Sequence, residues 1–332
     1  MSRSLAKNLD SELIDPYQTS IPVPTLIAAT GDHARKSYLD YFTSEIRNTN
    51  TRQTYGIAVT AFLDCAQSYG VTHLSQIQRI HVAAYIESLK ETHKTASTKT
   101  KIAAIRMLCD FLVKERVLEE NPAMNVRTEK LRYTTGETSY RAPSEIRDLL
   151  DSIEPERSVD LRDRALIATM AYSFARVSAT IGMDVEDVFT QGRQLWMRLN
   201  EKGGVKHSMP CHHELEEFLD VYLTETGLVG KSKTPLFPRA TLSRHRPQLT
   251  DKRMTRQAVW AMIKRRCQIA GLPADTTCHS FRATGITTFL ENGGSIEDAR
   301  HMAAHASLKT TQVYDRRRDR VSVENVERIR YR

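Results

Sequence analysis

Apolar residues recur at helical spacing through residues 33–120. Side chains three or four positions apart fall on one face of an α-helix, which is the face that packs against a core. The pattern predicts four amphipathic helices, with Thr51 as the N-cap of the second. We therefore expect a compact, all-helical domain over residues 31–120. The predicted inward positions are Tyr38, Tyr41, Phe42, Ile46, Tyr55, Val59, Phe62, Leu63, Ala66, Val82, Tyr85, Ile86, Leu89, Ile102, Ile105, Leu108, Leu112 and Val113.

The helical period is lost on both sides of this domain. Residues 1–30 are polar and contain prolines at positions 16, 22 and 24, which is typical of a flexible tail. Residues 121–142 contain Pro122 and Gly136 among threonine, lysine and arginine residues, and no apolar period emerges there. This second segment is predicted to be a linker between two domains.

A second domain is predicted over residues 143–332. Residues 166–174 are almost entirely apolar, which predicts a buried helix, and Arg176 closes this apolar run. A guanidinium in such a place needs an anionic partner, because an unpaired buried charge is costly. That partner is either a structural carboxylate or a DNA phosphate.

Three short strands are predicted after this helix, at residues 185–189, 195–199 and 205–210. The turn between the last two strands contains Gly203 and Gly204, as a hairpin requires. The predicted fold class is therefore mainly α, with a small antiparallel β-sheet in the C-terminal domain.

Composition adds a preference for a polyanionic partner. The chain has 332 residues, with 48 Lys and Arg against 40 Asp and Glu, which gives a formal net charge of +8. A surplus of this size also suits a protein that is basic only for solubility. Five scattered cysteines without a C-x-x-C pair favour a reducing compartment over a disulfide frame or a zinc ribbon. The first residues lack the apolar run of a signal peptide, so we expect a soluble, cytoplasmic protein.

Residues that carry chemistry concentrate in the stretch 276–318. His279 and Arg282 are three positions apart, which places both on one face of a helix. His305 follows a glycine pair and a second helical stretch, and Tyr314 comes nine positions after His305. Two histidines, an arginine and a tyrosine in this order form a set that is more informative than any one of its members.

This order and spacing resembles the C-terminal signature of the tyrosine recombinases, the phage integrase family. The stretch TTCHSFRATGITTFLENGG is similar to the family pattern H-x-L-R-H-x-x-A-T-x-x-x-x-x-G, and Arg176 and Ser178 match the family's G-x-R-x-S-E-L. The resemblance implies a two-domain DNA clamp, with a helical core-DNA-binding domain at 31–120 and a catalytic domain at 143–332. It also implies a site-specific recombinase that needs no metal or other cofactor and acts in integration, excision, transposition or resolution.

The resemblance implies a role for each residue of the set. Tyr314 is the expected nucleophile, which forms a 3′-phosphotyrosine link, and His279 is its base or proton shuttle. Arg176 and Arg282 are expected to grip the non-bridging phosphate oxygens, where bidentate guanidinium contacts replace a metal. His305 is expected to hydrogen-bond the phosphate.

The family's catalytic lysine lies in the hairpin turn, in the form G-K-G. Lys202 matches it and is the expected general acid for the leaving 5′-hydroxyl, with Glu201 in place of the first glycine and Lys206 as the runner-up. Three alanines also depart from the family pattern: Ala179 stands for a glutamate, Ala283 for a histidine and Ala304 for a glycine. Without a glutamate at 179, the group that orients the first arginine must come from elsewhere or be absent.

Further basic residues are expected to contact the DNA backbone. They are Lys94, Lys99, Lys101, Arg106, Lys206, Lys264 and Arg265. The expected partner is double-stranded DNA with an inverted-repeat core site, bound by a homotetramer, with an accessory protein or partner recombinase as a further option and no membrane. Residues 319–332 are predicted to form a short helix, which in relatives docks on the neighbouring subunit.

Two other functions stay open at this point. A type IB topoisomerase uses the same chemistry as a monomer with little sequence preference, and the terminal helix argues against it. A DNA-binding relative that has lost catalysis would bind DNA without forming a covalent adduct. The six filled catalytic positions argue against that second alternative.

Overall fold

The computed structural model describes residues 22–129, 139–201, 203–241, 243, 247–316, 326–329 and 331. The chain divides into two compact units, Met1–Arg132 and Tyr133–Arg332. Over the described residues the first unit contains helices alone, whereas the second adds two small antiparallel sheets. The predicted fold class is confirmed. None of the helices in the described part of the chain is both long enough and apolar enough to cross a membrane.

Five α-helices form the first unit over its described residues. They are α1 (Thr25–Thr30), α2 (Asp32–Asp40), α3 (Thr49–Ser68), α4 (Arg79–Thr92) and α5 (Thr95–Lys114). A π-helical turn, Tyr41–Glu45, continues α2, and the centre of the unit is aromatic. Tyr38 and Tyr41 both meet Phe42 edge-on, with ring centroids 5.0 and 4.9 Å apart. All predicted inward positions of this unit are buried or packed against its core.

Two boundaries of the first unit differ from the prediction. Helix α3 begins at Thr49, because Asn48 rather than Thr51 is its N-cap and accepts two main-chain N–H groups of the first turn at 3.0 and 3.1 Å. The last residues of the segment predicted to be a tail, 1–30, form a helix instead, because α1 buries Leu26 and Ile27 in the core. The residues before 22 lie outside the described ranges.

The segment predicted to be a linker, residues 121–142, is anchored at both of its ends. Ala123 and Val126 are buried in the core of the first unit. Arg141 is buried in the second unit, where its Nε donates to Thr276 Oγ1 at 2.7 Å. Residues 130–138, between these anchors, are not among the described residues.

Eight α-helices appear among the described residues of the second unit. They are α6 (Pro143–Asp151), α7 (Ser158–Ser173), α8 (Val177–Gly182), α9 (His213–Glu225), α10 (Arg256–Ile269), α11 (Cys278–Glu291), α12 (Ile296–Met302) and α13 (Leu308–Gln312). The helix predicted at 319–332 falls largely outside the described residues.

The sheet of the second unit has the antiparallel strand order β1-β2-β3. The strands are β1 (Val188–Gln191), β2 (Gln194–Asn200) and β3 (Lys206–Pro210), and Leu199 of β2 pairs with His207 of β3. The first strand starts later than predicted, because Val185–Asp187 form a 3₁₀ turn. A separate two-stranded ribbon joins β4 (Pro238–Ala240) to β5 (Leu249–Arg253).

Helix α7 is the central helix of the second unit. Leu166, Ile167 and Met170 are fully buried, as the apolar run predicted. Asp163 on the same helix is also fully buried and accepts hydrogen bonds from Arg266 Nη2 at 2.7 Å and Arg265 Nη2 at 3.1 Å. Paired guanidinium groups make a buried carboxylate tolerable. These ion pairs join α7 to α10.

Candidate active site

Arg176 lies at a sharp turn between α7 and α8. Helix α7 ends at Ser173, and Phe174 adopts the left-handed conformation, with φ 57° and ψ 17°, which breaks the helix. Arg176 then forms the N-terminal boundary of α8. Its side chain is 30% exposed, so the guanidinium stands at the accessible end of an otherwise buried helix.

Glu201 is the carboxylate that meets Arg176. Its Oε2 accepts from Arg176 Nη1 at 2.6 Å, and its Oε1 accepts from the Arg176 main-chain N–H at 3.0 Å. Glu201 directly follows β2, and its side chain is only 1% exposed. No role was predicted for Glu201, although the absence of a glutamate at position 179 and its presence at 201 are both visible in the sequence.

Arg282 is almost wholly buried on α11, with a side chain 1% exposed. Its two terminal nitrogens donate to the main-chain carbonyls of Phe174 and Ala303, which pins the guanidinium between α7 and α12. Its Nε is buried without a hydrogen-bond partner among the described residues. Burial, followed by the charge of Arg176, lowers the pKa of Arg282 to about 10, and Glu201 acts in the opposite direction.

Tyr314 and His279 are in direct contact through their side chains. The Tyr314 hydroxyl lies 3.0 Å from His279 Nε2. Burial raises the pKa of Tyr314, although Arg282 and Arg176 act to lower it. Burial also lowers the pKa of His279, and the two arginines lower it further. The imidazole is therefore neutral at neutral pH and able to accept a proton from the hydroxyl.

His305 packs its ring parallel to that of Tyr314, with centroids 5.8 Å apart and an interplanar angle of 11°. Its Nδ1 lies 2.9 Å from Thr311 Oγ1, which orients the ring. Burial lowers the pKa of His305 to about 3, with Arg282 as the next cause. The His305 imidazole is therefore neutral, and its tautomer decides whether Nδ1 donates to Thr311 Oγ1 or accepts from it.

Ala304 carries the backbone strain next to this histidine. It ends α12 with φ 46°, a left-handed conformation. The N–H groups of Ala304 and His305 donate to the carbonyls of His301 and Arg300, both at 3.0 Å, which is the Schellman pattern. Glycine is the usual residue at this position of the motif, which explains physically why the family pattern has one where this chain has Ala304.

His207 on β3 is a second residue near the site for which no role was predicted. Burial lowers the pKa of its imidazole, while the charge of Glu201 acts to raise it and that of Arg282 to lower it. His207 therefore lies within the electrostatic influence of Glu201 and Arg282.

The assembled groups suit attack on a phosphodiester. Two guanidinium groups attract an anion, a tyrosine hydroxyl has a basic nitrogen in contact, and a second neutral histidine stacks on the tyrosine ring. Phosphoryl transfer depends on positioning and on neutralisation of charge, and these groups supply both.

Two family models match the chain. The phage integrase family matches residues 141–320, which is more than half of the chain, and the phage integrase N-terminal SAM-like domain matches residues 36–116. The chain belongs to the phage integrase family. The resemblance predicted from the spacing of His279, Arg282, His305 and Tyr314 is confirmed.

Individual integrase-family proteins agree with this assignment. Tyrosine recombinase XerD of Mycobacterium leprae is 26% identical over 296 residues, which cover 84% of this chain and 90% of that protein. The XerH site-specific recombinase bound to a palindromic difH substrate, in a post-cleavage complex, has a TM-score of 0.66 at 16% identity and covers 90% of this chain and 84% of that chain. A lambda integrase tetramer bound to a Holliday junction has a TM-score of 0.62 at 18% identity, covering 83% of this chain and 76% of that chain. The two structures show a shared fold.

The structure brings together five of the six residues predicted to be catalytic. They are Arg176, His279, Arg282, His305 and Tyr314, which share hydrogen bonds, ring contacts or charge effects on one another's pKa values. Lys202 lies outside the described residues. Lys206, the runner-up, is exposed at the start of β3.

Three of the residues predicted to contact the DNA backbone make hydrogen bonds to other residues of the protein. Arg106 Nε donates to the carbonyl of Ala123 at 3.0 Å, Lys264 Nζ donates to that of Thr276 at 2.9 Å, and Arg265 pairs with Asp163. Of the other four, Lys206 is exposed on β3, and three lie at the beginning of α5, where Lys94 is exposed and Lys99 and Lys101 are half-buried. Contact between these residues and DNA stays a prediction.

Proposed function

We propose that this protein is a tyrosine-type site-specific DNA recombinase that cleaves and rejoins DNA strands through a covalent link to Tyr314. The observation that carries the proposal is the 3.0 Å contact between the Tyr314 hydroxyl and His279 Nε2, beside two arginines that act on both groups. The class of enzyme follows from family membership and from relatives such as the XerD recombinase. The residue roles below are the finer part of the proposal.

The two arginines bind the scissile phosphate in the proposed complex. Arg282 has its terminal nitrogens directed to main-chain carbonyls and a buried Nε without a partner among the described residues. Arg176 is partly exposed and keeps N–H groups beyond the one that meets Glu201. A planar guanidinium held in a fixed orientation can donate hydrogen bonds to two oxygens of a phosphate. The charges of the two arginines offset the negative charge that grows on the phosphoryl oxygens during attack.

Cleavage begins with attack of the Tyr314 oxygen on phosphorus. The new bond joins that oxygen to phosphorus, the bond from phosphorus to the 5′-oxygen breaks, and the phenolic proton passes to His279. His305, stacked on the tyrosine ring, is placed to hydrogen-bond the phosphate. The leaving 5′-oxygen takes a proton, for which Lys202 is the predicted donor.

Rejoining is the reverse of this step. A 5′-hydroxyl from another strand attacks the phosphotyrosine, the phosphorus–tyrosine bond breaks, and Tyr314 regains its proton. Each step exchanges one phosphoester bond for another, so the bond energy is retained and no nucleotide is consumed.

The proposed substrate is double-stranded DNA with an inverted-repeat core site, bound by a tetramer on two duplexes. The XerH structure contains a palindromic substrate, and the lambda integrase structure is a tetramer on a Holliday junction. Those are properties of the two proteins, and they support the same arrangement here. The need for an accessory protein or partner recombinase stays a prediction. Because its proposed substrate is DNA, the protein is expected to act in the cytoplasm, at the nucleoid.

A covalent-trapping assay tests the proposal. Wild type, Tyr314→Phe and Tyr172→Phe are incubated with nicked duplexes that carry candidate sites from the gene's own neighbourhood, and the products are separated on a denaturing gel. Tyr172 is the matched control, because it is a partly buried tyrosine of the same unit whose hydroxyl donates to Glu214. We expect a protein–DNA adduct with wild type and Tyr172→Phe and none with Tyr314→Phe.

Other outcomes contradict the proposal in distinguishable ways. Intact DNA binding without any adduct, in the presence of cell extract to supply a partner, would indicate a catalytically silent relative. Adducts on any DNA, together with relaxation of supercoiled plasmid by a monomer, would indicate a topoisomerase.

A further inference from the structure

We infer that Glu201 is a positioning residue for Arg176, and that it replaces the carboxylate which the family motif carries at the position of Ala179. Its expected effect on cleavage rests on the proposed function, whereas its effect on the arginine rests on contacts in this structure alone. Glu201 is not proposed to touch the DNA. It acts through the guanidinium that does.

Glu201 holds Arg176 at two separate points. One carboxylate oxygen accepts from the side-chain Nη1 at 2.6 Å, and the other accepts from the main-chain N–H at 3.0 Å. The first bond directs the guanidinium, and the second fixes the main chain where α8 begins. Hydrogen bonds to a charged partner are the stronger kind, and here both involve the carboxylate.

The position of Ala179 explains why the carboxylate is found elsewhere. Ala179 is 2% exposed and belongs to the apolar core of the second unit. A glutamate in those surroundings would need a partner within the core, because an unpaired buried carboxylate is strongly unfavourable. Alanine at 179 and glutamate in place of glycine at 201 therefore complement each other: the carboxylate that the family motif carries on α8 is supplied here by the residue that follows β2.

Glu201 also lies between the two arginines of the site. Its Oε1 is 3.9 Å from Arg282 Nη1. Two guanidinium groups in one site repel each other, and a carboxylate between them offsets that repulsion before DNA arrives. Main-chain bonds hold Glu201 in the hairpin, from its N–H to Val205 O at 2.7 Å and from Gly204 N–H to its own carbonyl at 3.1 Å.

Substitution of the carboxylate is the first test. Glu201→Gln keeps the shape and removes the charge, Glu201→Asp keeps the charge and shortens the reach, and Asp184→Asn is the matched control. Asp184 pairs with Arg253 Nη2 at 2.7 Å and contacts none of the site residues described above. Measured on a nicked substrate in a single turnover, Glu201→Gln is expected to cleave roughly 10- to 100-fold more slowly than wild type, at unchanged DNA affinity.

The controls separate positioning from folding. Glu201→Asp should recover part of the rate, and Asp184→Asn should cleave as wild type does. Thermal unfolding is measured for every variant. Cleavage by Glu201→Gln at the wild-type rate would overturn the inference, as would a rate loss fully explained by the fraction of unfolded protein.

A double-mutant cycle tests whether Glu201 acts through Arg176. In an Arg176→Lys background, the further substitution Glu201→Gln is expected to change the cleavage rate by less than about threefold, because the guanidinium that Glu201 orients is no longer present. A full additional loss in that background would show that Glu201 acts by another route and would overturn the inference.

Arginine side-chain NMR decides the matter even if the wild type forms no adduct. In protein labelled with ¹⁵N, the guanidinium signals of Arg176, assigned by their loss in Arg176→Lys, should show restricted rotation in wild type and Asp184→Asn. The restriction should be lost in Glu201→Gln. If it persists there, Glu201 does not orient the arginine, whatever reaction the protein performs.

Discussion

Replacement of Gly285 by alanine is expected to disturb both stability and the active site, because α11 meets α7 here without room for a side chain. A Cβ at position 285 would lie 2.5 Å from the carbonyl oxygen of Ala171 and 2.6 Å from the ring of Phe174. Favourable contacts between carbon atoms lie at about 3.5–4.0 Å. Ala171 contributes main chain and Phe174 is 4% exposed, so neither can yield without repacking.

Two opposing effects set the size of the change. Alanine is favoured over glycine inside a helix by about 1 kcal/mol, whereas overpacking of a filled core typically costs about 1–3 kcal/mol. Because the clash involves main chain, we expect an overpacking cost at the upper end, about 2–3 kcal/mol, so that Gly285→Ala loses roughly 1–2 kcal/mol of unfolding free energy after the helix preference is subtracted. For a unit of this size that corresponds to a fall in Tm of about 2–8 °C.

The same clash should reach the chemistry. The Phe174 carbonyl accepts a hydrogen bond from Arg282, and Arg176 follows Phe174 by two positions. A displacement of about 1 Å in such a site can lower a rate by about 10²-fold. We therefore expect Gly285→Ala to slow single-turnover cleavage well beyond what its loss of folded protein explains.

Gly182→Ala is the matched control for this experiment. Gly182 ends α8, and a Cβ there would meet nothing within 4 Å. Both variants are compared by thermal unfolding and by cleavage of a nicked substrate, and Gly182→Ala is expected to match wild type or to be slightly more stable. Equal stability and equal cleavage rates for the two variants would refute the packing argument.

Three further predictions concern the histidines and the turn before His305. Because the pKa of His279 is lowered from its ordinary value of 6.5, the imidazole is neutral at pH 7. The cleavage rate at limiting DNA should therefore fall only as the pH drops below about 6.5, and a fall in rate centred above pH 7 would contradict this. His305 has a pKa of about 3 in the folded protein and about 6.5 in the unfolded chain, so it contributes stability that is present above pH 6.5 and lost towards pH 3. Between pH 7 and pH 5 the free energy of unfolding, measured in urea, should therefore fall by roughly 2 kcal/mol less in His305→Asn than in wild type. Ala304→Gly should raise the free energy of unfolding by about 0.5–1 kcal/mol. It relieves a left-handed φ of 46° that costs alanine about 1–2 kcal/mol, but it also makes the unfolded chain more flexible, which offsets part of the gain. A loss of stability would show that Ala304 is not strained.

Local periodicity was sufficient for most of the fold. The buried faces of α2 to α5 follow from apolar spacing alone, since the same residues that repeat every three or four positions fill the core of the first unit. The start of α3 could not be read in the same way. Asn48 and Thr51 are both good caps, and only the path of the chain decides which side chain reaches the free N–H groups.

The candidate site was predictable where its residues follow one another at fixed spacing. His279, Arg282, His305 and Tyr314 lie within one stretch, so order and distance along the chain were enough. The partner of Arg176 was not predictable in this way. Glu201 is 25 positions away on another element, and the sequence offers many carboxylates of equal standing. Which of them reaches the arginine depends on how β2 packs beside the turn after α7.

Burial opposes the charges that the proposed reaction has to create. In the protein alone, burial raises the pKa of Tyr314 and lowers that of His279, so both partners resist transfer of the phenolic proton. A phosphate held by Arg176 and Arg282 favours the imidazolium, because it brings a negative charge towards His279. The same phosphate disfavours a free phenolate beside it. Proton transfer is therefore expected to accompany attack, when the negative charge passes from the tyrosine oxygen to phosphoryl oxygens that both guanidinium groups already hold. On this reasoning Tyr314 stays neutral until DNA is bound, and the order of events is binding first, with ionisation and cleavage together.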